Sequence, residues 1–184
     1  ESKKKIILVI AGYGTYNNNF YYAYNRKGMF SCLGNETIEI LEELSKFSNK
    51  YKIIFKDYPF HNYFQKIVRK IGGGKIQYIS KEESLGKLLS KSDFNIFMYA
   101  SNSFVESLPY RADSFILETD LKKNFNKKYF IPFGVEFFKS ILSIKRSINY
   151  KLKKNNFYYV KKDLLVKKYF TSIKKYESFT KSLK

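Results

Sequence analysis

A chain of 184 residues can hold one domain with its own core, and 44% hydrophobic with 19% aromatic residues excludes a disordered or linker-like composition. A single cysteine, Cys32, permits no internal disulfide, and the longest purely apolar run, Ile6–Ala11, falls far short of the ~20 residues of a bilayer-spanning helix, so neither a disulfide scaffold, a zinc ribbon nor a single-pass membrane protein is expected. The net charge of +19 is uneven: residues 1–120 carry 17 basic and 13 acidic side chains, residues 121–184 carry 18 and 3.

In chain order, Lys5–Ala11 is a continuous β-branched run ending in Gly12-Tyr13-Gly14, the pattern of a buried parallel strand and a turn. Residues 15–34 are polar and aromatic without period and read as a loop. Asn35 is placed to cap a helix with Ile38, Leu41, Leu44 and Phe47 at helical spacing. Tyr51–Lys56 is a second strand closed by Pro59. Tyr63–Ile71 follows as a short helix with Phe64, Ile67, Val68 and Ile71 on one face. Gly72-Gly73-Gly74 ends that helix, and Lys75–Ile79 is a third strand. Ser80 and Glu83 have capping-box spacing ahead of a helix over Ser84–Ser90. Asp93–Tyr99 is a fourth strand, Ser103–Leu108 opens a helix, and Ser114–Leu117 is a fifth strand.

This alternation predicts an α/β fold: a Rossmann-like open parallel sheet of about five or six strands with helices on both faces. Residues 1–134 form the expected Rossmann-like domain. Residues 135–184 are expected to add basic amphipathic helices that pack on it. One has the stripe Phe137, Ile141, Ile144, Ile148 and Leu152, the other Leu165, Tyr169, Ile173 and Tyr176, with a break near Asn155-Asn156. Helices of this kind can lie on anionic membranes, but an apolar stripe more often packs on its own domain. The excess lysines suit phosphates or a membrane surface; AT-rich codon usage, which favours Lys, Asn, Ile, Phe and Tyr together, would supply them without any partner.

Ligands of open parallel sheets bind beyond the carboxyl ends of the strands, near the reversal of strand order. That rule selects Gly12 and Gly14 after the first strand, Lys56 and Asp57 with His61 after the second, and Ser101, Asn102, Ser103 and Glu106 after the fourth. Glycines, short hydroxyls and a lysine are what a phosphate needs. Each has a plainer role too. Gly12 and Gly14 can simply turn the chain, and Asn17 stands where a dinucleotide fingerprint has its third glycine. Ser103 and Glu106 can cap their own helix. Asp57 can bind ribose hydroxyls or merely end a strand. His61, the only histidine, is a candidate general base or phosphate ligand and equally a surface residue. No second His or Cys stands at metal-ligand spacing, so no protein-held metal and no cofactor is expected, and Cys32 has no nearby partner to activate it. The lysines of the start run straight into a strand rather than a signal-peptide core, and the first residue is Glu1, which is consistent with a piece of a longer protein.

The run Ser92-Asp93-Phe-Asn-Ile-Phe-Met-Tyr-Ala-Ser101-Asn102-Ser103-Phe-Val-Glu106-Ser-Leu resembles a segment of bacterial surface-polysaccharide glycosyltransferases of the GT-B fold, where Ser-Asp, an apolar strand, a Ser/Thr-rich turn and Glu-Ala-Leu follow one another. Lys56-Asp57-Tyr58-Pro59 looks like the Lys-Pro-His-Pro element of such enzymes, and the opening residues 3–14 look like the first strand of their donor-binding domain. The resemblance spans residues 3–120. It implies a C-terminal, donor-binding domain that holds an activated nucleotide sugar, with Gly12, Gly14, Lys56, Ser101, Asn102 and Ser103 at the donor phosphates and Glu106 at ribose or sugar hydroxyls. It also implies a glycan or lipid-linked acceptor, a second domain or subunit completing the cleft, no metal-binding Asp-x-Asp motif, and a catalytic base outside this chain. The implied location is cytoplasmic, with peripheral contact at the inner face of the membrane. Two departures stand out. Tyr58 replaces the family's His, whose role only nearby His61 could take, and Tyr110-Arg111-Ala112-Asp113 lacks the usual Gly-x-Pro. The competing readings are a sugar-nucleotide epimerase of the same architecture, a non-catalytic basic module for nucleic acid or anionic membrane, and a nicotinamide-dependent oxidoreductase.

Overall fold

The computed structural model describes residues 4–11, 29–57, 63–80, 82–98, 102–110, 112–117 and 134–157. Its strands are β1 (Ile6–Ile10), β2 (Lys52–Lys56), β3 (Ile76–Ile79), β4 (Phe94–Phe97), β5 (Asp113–Leu117) and β6 (Val135–Phe138). Its helices are α1 (Met29–Ser45), α2 (Tyr63–Gly72), α3 (Leu85–Leu89), α4 (Asn102–Ser107) and α5 (Ile141–Lys154). The strands form one sheet in the order β3-β2-β1-β4-β5-β6, and every neighbouring pair is parallel. Parallel neighbours need crossover connections, the described helices cover both faces of the sheet, and the central strands are accordingly apolar on both sides. The Rossmann-like α/β sheet expected from the alternation is the fold observed.

Two cores result. On one face Ile7, Val9, Phe94 and Phe115 meet α1 through Ile40, Leu41 and Leu44, α2 through Val68, and α5 through Ile144, Ile148 and Leu152. On the other, Leu8, Phe97 and Ile116 meet α3 through Leu88 and Leu89, α4 through Phe104, and Leu108 just past it. The alternation of successive strand residues between the two cores is the period-2 geometry of the strand. Phe104 anchors the short α4 edge-to-face on Phe97, at 5.7 Å between ring centroids.

Several expectations are corrected. The helix expected from Asn35 begins at Met29, so Asn35 is an interior residue and part of the expected 15–34 loop is helical. Its core-facing residues are Thr37, Ile40, Leu41 and Leu44, while Ile38 packs at the margin and Phe47 lies past the helix in a turn. Gly34 and Asn35, poor helix formers, disguised the first turns of this helix. The cap of α3 is Ser84, whose side chain accepts from the Lys87 backbone N–H at 3.4 Å. Ser80 instead follows the end of β3, and its N–H donates to Glu82 Oε2 at 2.8 Å. Ser103 is the second residue of α4 rather than its cap. Phe137, expected in a helical stripe, belongs to β6. Gly134, at φ 73°, turns the chain into that strand, and Ser140 then caps α5.

The glycine run acts as expected. α2 stops at Gly72, and Gly73 and Gly74 take φ values of 51° and 81° that a side chain would oppose. Asn155, near the expected break, ends α5 in the left-handed conformation at φ 51°. The second C-terminal stripe, Leu165 to Tyr176, lies outside the described residues.

The apolar stripe of α5 packs on its own domain, and polar groups fix its register against α1. Asn149 Nδ2 donates to Glu43 Oε1 at 2.6 Å, and Lys145 Nζ pairs with Glu39 Oε2 at 3.1 Å. Burial pushes the Glu43 carboxyl up, but hydrogen bonds from Asn149 and Lys46 and the charges of Lys46 and Lys145 outweigh it and leave the group below its ordinary value.

Candidate functional site

The chain moves outward from β1 through β2 to β3, returns, and moves the other way through β4, β5 and β6, so the strand order reverses between β1 and β4. At the carboxyl edge the Ala11 N–H donates to the Lys56 carbonyl at 3.2 Å, and the Met98 N–H donates to the Ile10 carbonyl at 3.1 Å. The ends of β2, β1 and β4 therefore stand side by side, with the crevice of the switch point between the last two. Of the expected site residues, Gly12, Gly14, His61 and Ser101 lie outside the described residues. Lys56 is the last residue of β2, Asn102 and Ser103 open α4 just beyond β4, and Glu106 is exposed on that helix.

Lys56 and Asp57 have different fates although they are adjacent. Asp57 is 2% exposed, accepts from the Tyr78 hydroxyl at 2.5 Å, and donates its own N–H to the Ile79 carbonyl at 2.7 Å. That carboxylate is committed to joining β2 and β3, which removes the support for a ribose-binding role of the nicotinamide type. Lys56 is half-buried, and its Nζ donates to the Ser80 carbonyl. Burial lowers the pKa of its ammonium, against which the charges of Glu82, Asp57 and Glu83 raise it. One cation thus sits among three carboxylates, a cluster that is net negative and rich in hydrogen-bond acceptors.

Tyr78, Ser80 and Glu82 were not legible as members of this cluster. Phe55 and Tyr78 are register partners on β2 and β3, with ring centroids 6.2 Å apart, and such pairing is invisible until the strand order is known. Burial, the hydrogen bond to Asp57, and the Asp57 and Glu82 charges together push the Tyr78 phenol well above its ordinary value. A phenol raised in the folded state keeps its proton when the unfolded phenol, of pKa about 10, has lost it. Its contribution is full below that pH and is lost as pH rises above it. Tyr78→Phe is expected to cost about 1.5–3 kcal/mol at neutral pH. It should also flatten the alkaline fall in stability, read from urea unfolding at a series of pH values.

A second concavity lies toward the other end of the sheet. It has a volume of about 330 Å³ and is lined by Phe115, Glu136, Arg146, Ser147, Tyr150, Lys151 and Asn156. α5 runs back along the sheet from the end of β6, and its last turns meet Tyr51, just before β2, and Asp113, the first residue of β5. This cavity is therefore remote from Lys56.

Among the described residues no helix is long and apolar enough to cross a membrane, and no three His, Cys, Asp or Glu side chains gather as a metal site. Strand order and edge define a doubly wound, Rossmann-like α/β domain whose switch point lies between β1 and β4. No family model, curated protein or solved structure matches the chain.

Proposed function

We propose that the chain is the donor-binding domain of a glycosyltransferase that moves a sugar, or a sugar-phosphate unit, from an activated nucleotide to a surface-glycan acceptor. The observation that carries this reading is the convergence of the β1, β2 and β4 ends at one switch point, which brings Lys56 and the start of α4 to the same edge of the sheet. The motif around β4 adds support, since Ser92-Asp93 and the apolar strand are followed by the Ser101-Asn102-Ser103 run and by the exposed Glu106 on α4. In this reading Lys56, Ser101, Asn102 and Ser103 contact phosphate with Gly12 and Gly14, Glu106 accepts from ribose or sugar hydroxyls, and His61 is a candidate acid or base. The acceptor side belongs to a second domain or subunit, so the chain alone binds nucleotide and does not turn over. The reaction proceeds at the inner face of the membrane.

Thermal unfolding with UDP, GDP, CMP, ADP and NAD tests the proposal. A nucleotide at 100 times its dissociation constant stabilises by about 2.7 kcal/mol. One nucleoside phosphate is expected to stabilise selectively, with the effect weakened in Lys56→Met and lost in Glu106→Ala. A folded sample that responds to none of them would sink the proposal, and turnover of a nucleotide sugar without acceptor would move it to an epimerase.

A further inference from the structure

The stripe that could have bound a membrane, Ile144, Ile148 and Leu152, is in the core; the opposite face of α5 is the unusual one. Among the described residues the exposed large hydrophobic side chains are Leu142, at 55%, and Tyr150, at 64%. Both lie on α5, two turns apart, with Arg146 between them. Taking 100° per residue, Leu142, Lys153, Arg146 and Tyr150 fall within about 80° of the helix circumference. All four are exposed, and the helix carries five cations and no acid. Two of those cations are engaged elsewhere: Lys145 by Glu39, and Lys151 by Asp113 at 2.7 Å and Glu136 at 3.6 Å. Arg146, Lys153 and Lys154 form none of the ion pairs made among the described residues. Arg146 and Tyr150 stand at the 330 Å³ cavity, where Ser147 and Asn156 add polar groups, and among the described residues Glu136 is the one acid in its wall.

We propose that this outer face of α5 docks on an anionic phospholipid surface. Leu142 and Tyr150 enter the headgroup–acyl boundary, Arg146 meets lipid phosphates at the mouth of the cavity, and Lys153 and Lys154 meet others about two turns further along the helix. Two isolated apolar side chains flanked by cations match that boundary, where an apolar body and a positive head are both satisfied. A second copy of the chain fits poorly. A twofold contact through α5 would oppose its cations to themselves, and two apolar side chains are far from the roughly 1,200–2,000 Å² that specific interfaces bury. Nothing in this proposal depends on the nucleotide site, and vesicle binding reads it separately.

The test is co-sedimentation with vesicles of phosphatidylcholine alone and of phosphatidylcholine with 30% phosphatidylglycerol. The full chain is expected to pellet with the anionic vesicles only. A charge of +19 would attract any anionic surface, so the decisive variant leaves charge untouched: Leu142→Ser with Tyr150→Ser should weaken binding about tenfold or more. Arg146→Gln should weaken it several-fold, while Lys66→Gln on α2 should leave it within twofold. Both apolar positions are exposed, so an unchanged thermal midpoint certifies the fold. Equal binding of wild type and the double serine variant overturns the proposal, as does an equal loss in Arg146→Gln and Lys66→Gln, or a wild-type chain that stays in solution.

Discussion

Lys151→Met is expected to destabilise the domain by about 3–5 kcal/mol, because it removes the ammonium that pairs with a buried carboxylate. Asp113 is 2% exposed, and Lys151 Nζ reaches its Oδ2 at 2.7 Å from a residue itself only 9% exposed. The ammonium also lies 5.0 Å from the centroid of the Phe115 ring and 5.4 Å from that of Phe94, so its surroundings are aromatic rather than aqueous. Methionine matches the lysine stem in length and fills the same space, which makes the lost charge the main change. Removing both charges tells pairing from packing. Lys151→Met with Asp113→Asn should recover most of the loss, since an intact buried pair is worth little more than a well-packed neutral one. Urea unfolding of the four proteins closes the double-mutant cycle. A single variant as stable as wild type would mean that Asp113 is held by other donors.

Phe94→Ala is expected to cost about 3–5 kcal/mol, the range for emptying a phenylalanine site in a well-packed core. Phe94 is fully buried on the central strand β4. Its ring meets Phe115 edge-to-face at 4.7 Å and Phe157 at 6.2 Å. Phe157 in turn contacts Tyr51, whose hydroxyl donates to the Leu152 carbonyl at 2.7 Å. The cavity would therefore loosen the sheet and the C-terminal turn of α5 together. Phe94→Leu, which leaves a smaller void, should lose well under half as much. Denaturant midpoints at unchanged slope check both values.

Much of the fold was legible because parallel strands buried on both faces read as short apolar runs bounded by turn residues. Lys5–Ala11, Tyr51–Lys56 and Lys75–Ile79 each enclose the observed strand to within a residue or two. Val135–Phe138 was harder. Its four residues abut a long helical stripe, and Phe137 satisfies the helix period by accident of spacing, while the turn at Gly134 is what starts the strand. At the edge near Lys56 the general rule of strand ends picks out Lys56 and Asp57 alike and does not divide their roles. Asp57 and Lys56 are neighbours in sequence with equal claim to a ligand. Only the register of β3 beside β2 reveals that Tyr78 ties down the carboxylate while the Ser80 carbonyl holds the ammonium. The outer face of α5 was hidden for a related reason. A helix with one obvious apolar stripe gives no cue that two further apolar residues form a second, exposed row.

The place of β1 in the middle of the sheet has a consequence for synthesis. Ile6 donates its N–H to the Asp93 side chain 87 residues further on, and Ile7 through Ile10 pair with Phe94 through Phe97. At 5–20 residues per second a ribosome needs roughly 4–17 s to cover that distance. For that time the nascent IILVI segment has one of its two flanking strands at most, and it is the kind of short, uncharged, β-prone run that aggregates. Lys3, Lys4 and Lys5 stand immediately before it in the sequence, a cluster of like charge that keeps two nascent copies apart until β4 emerges.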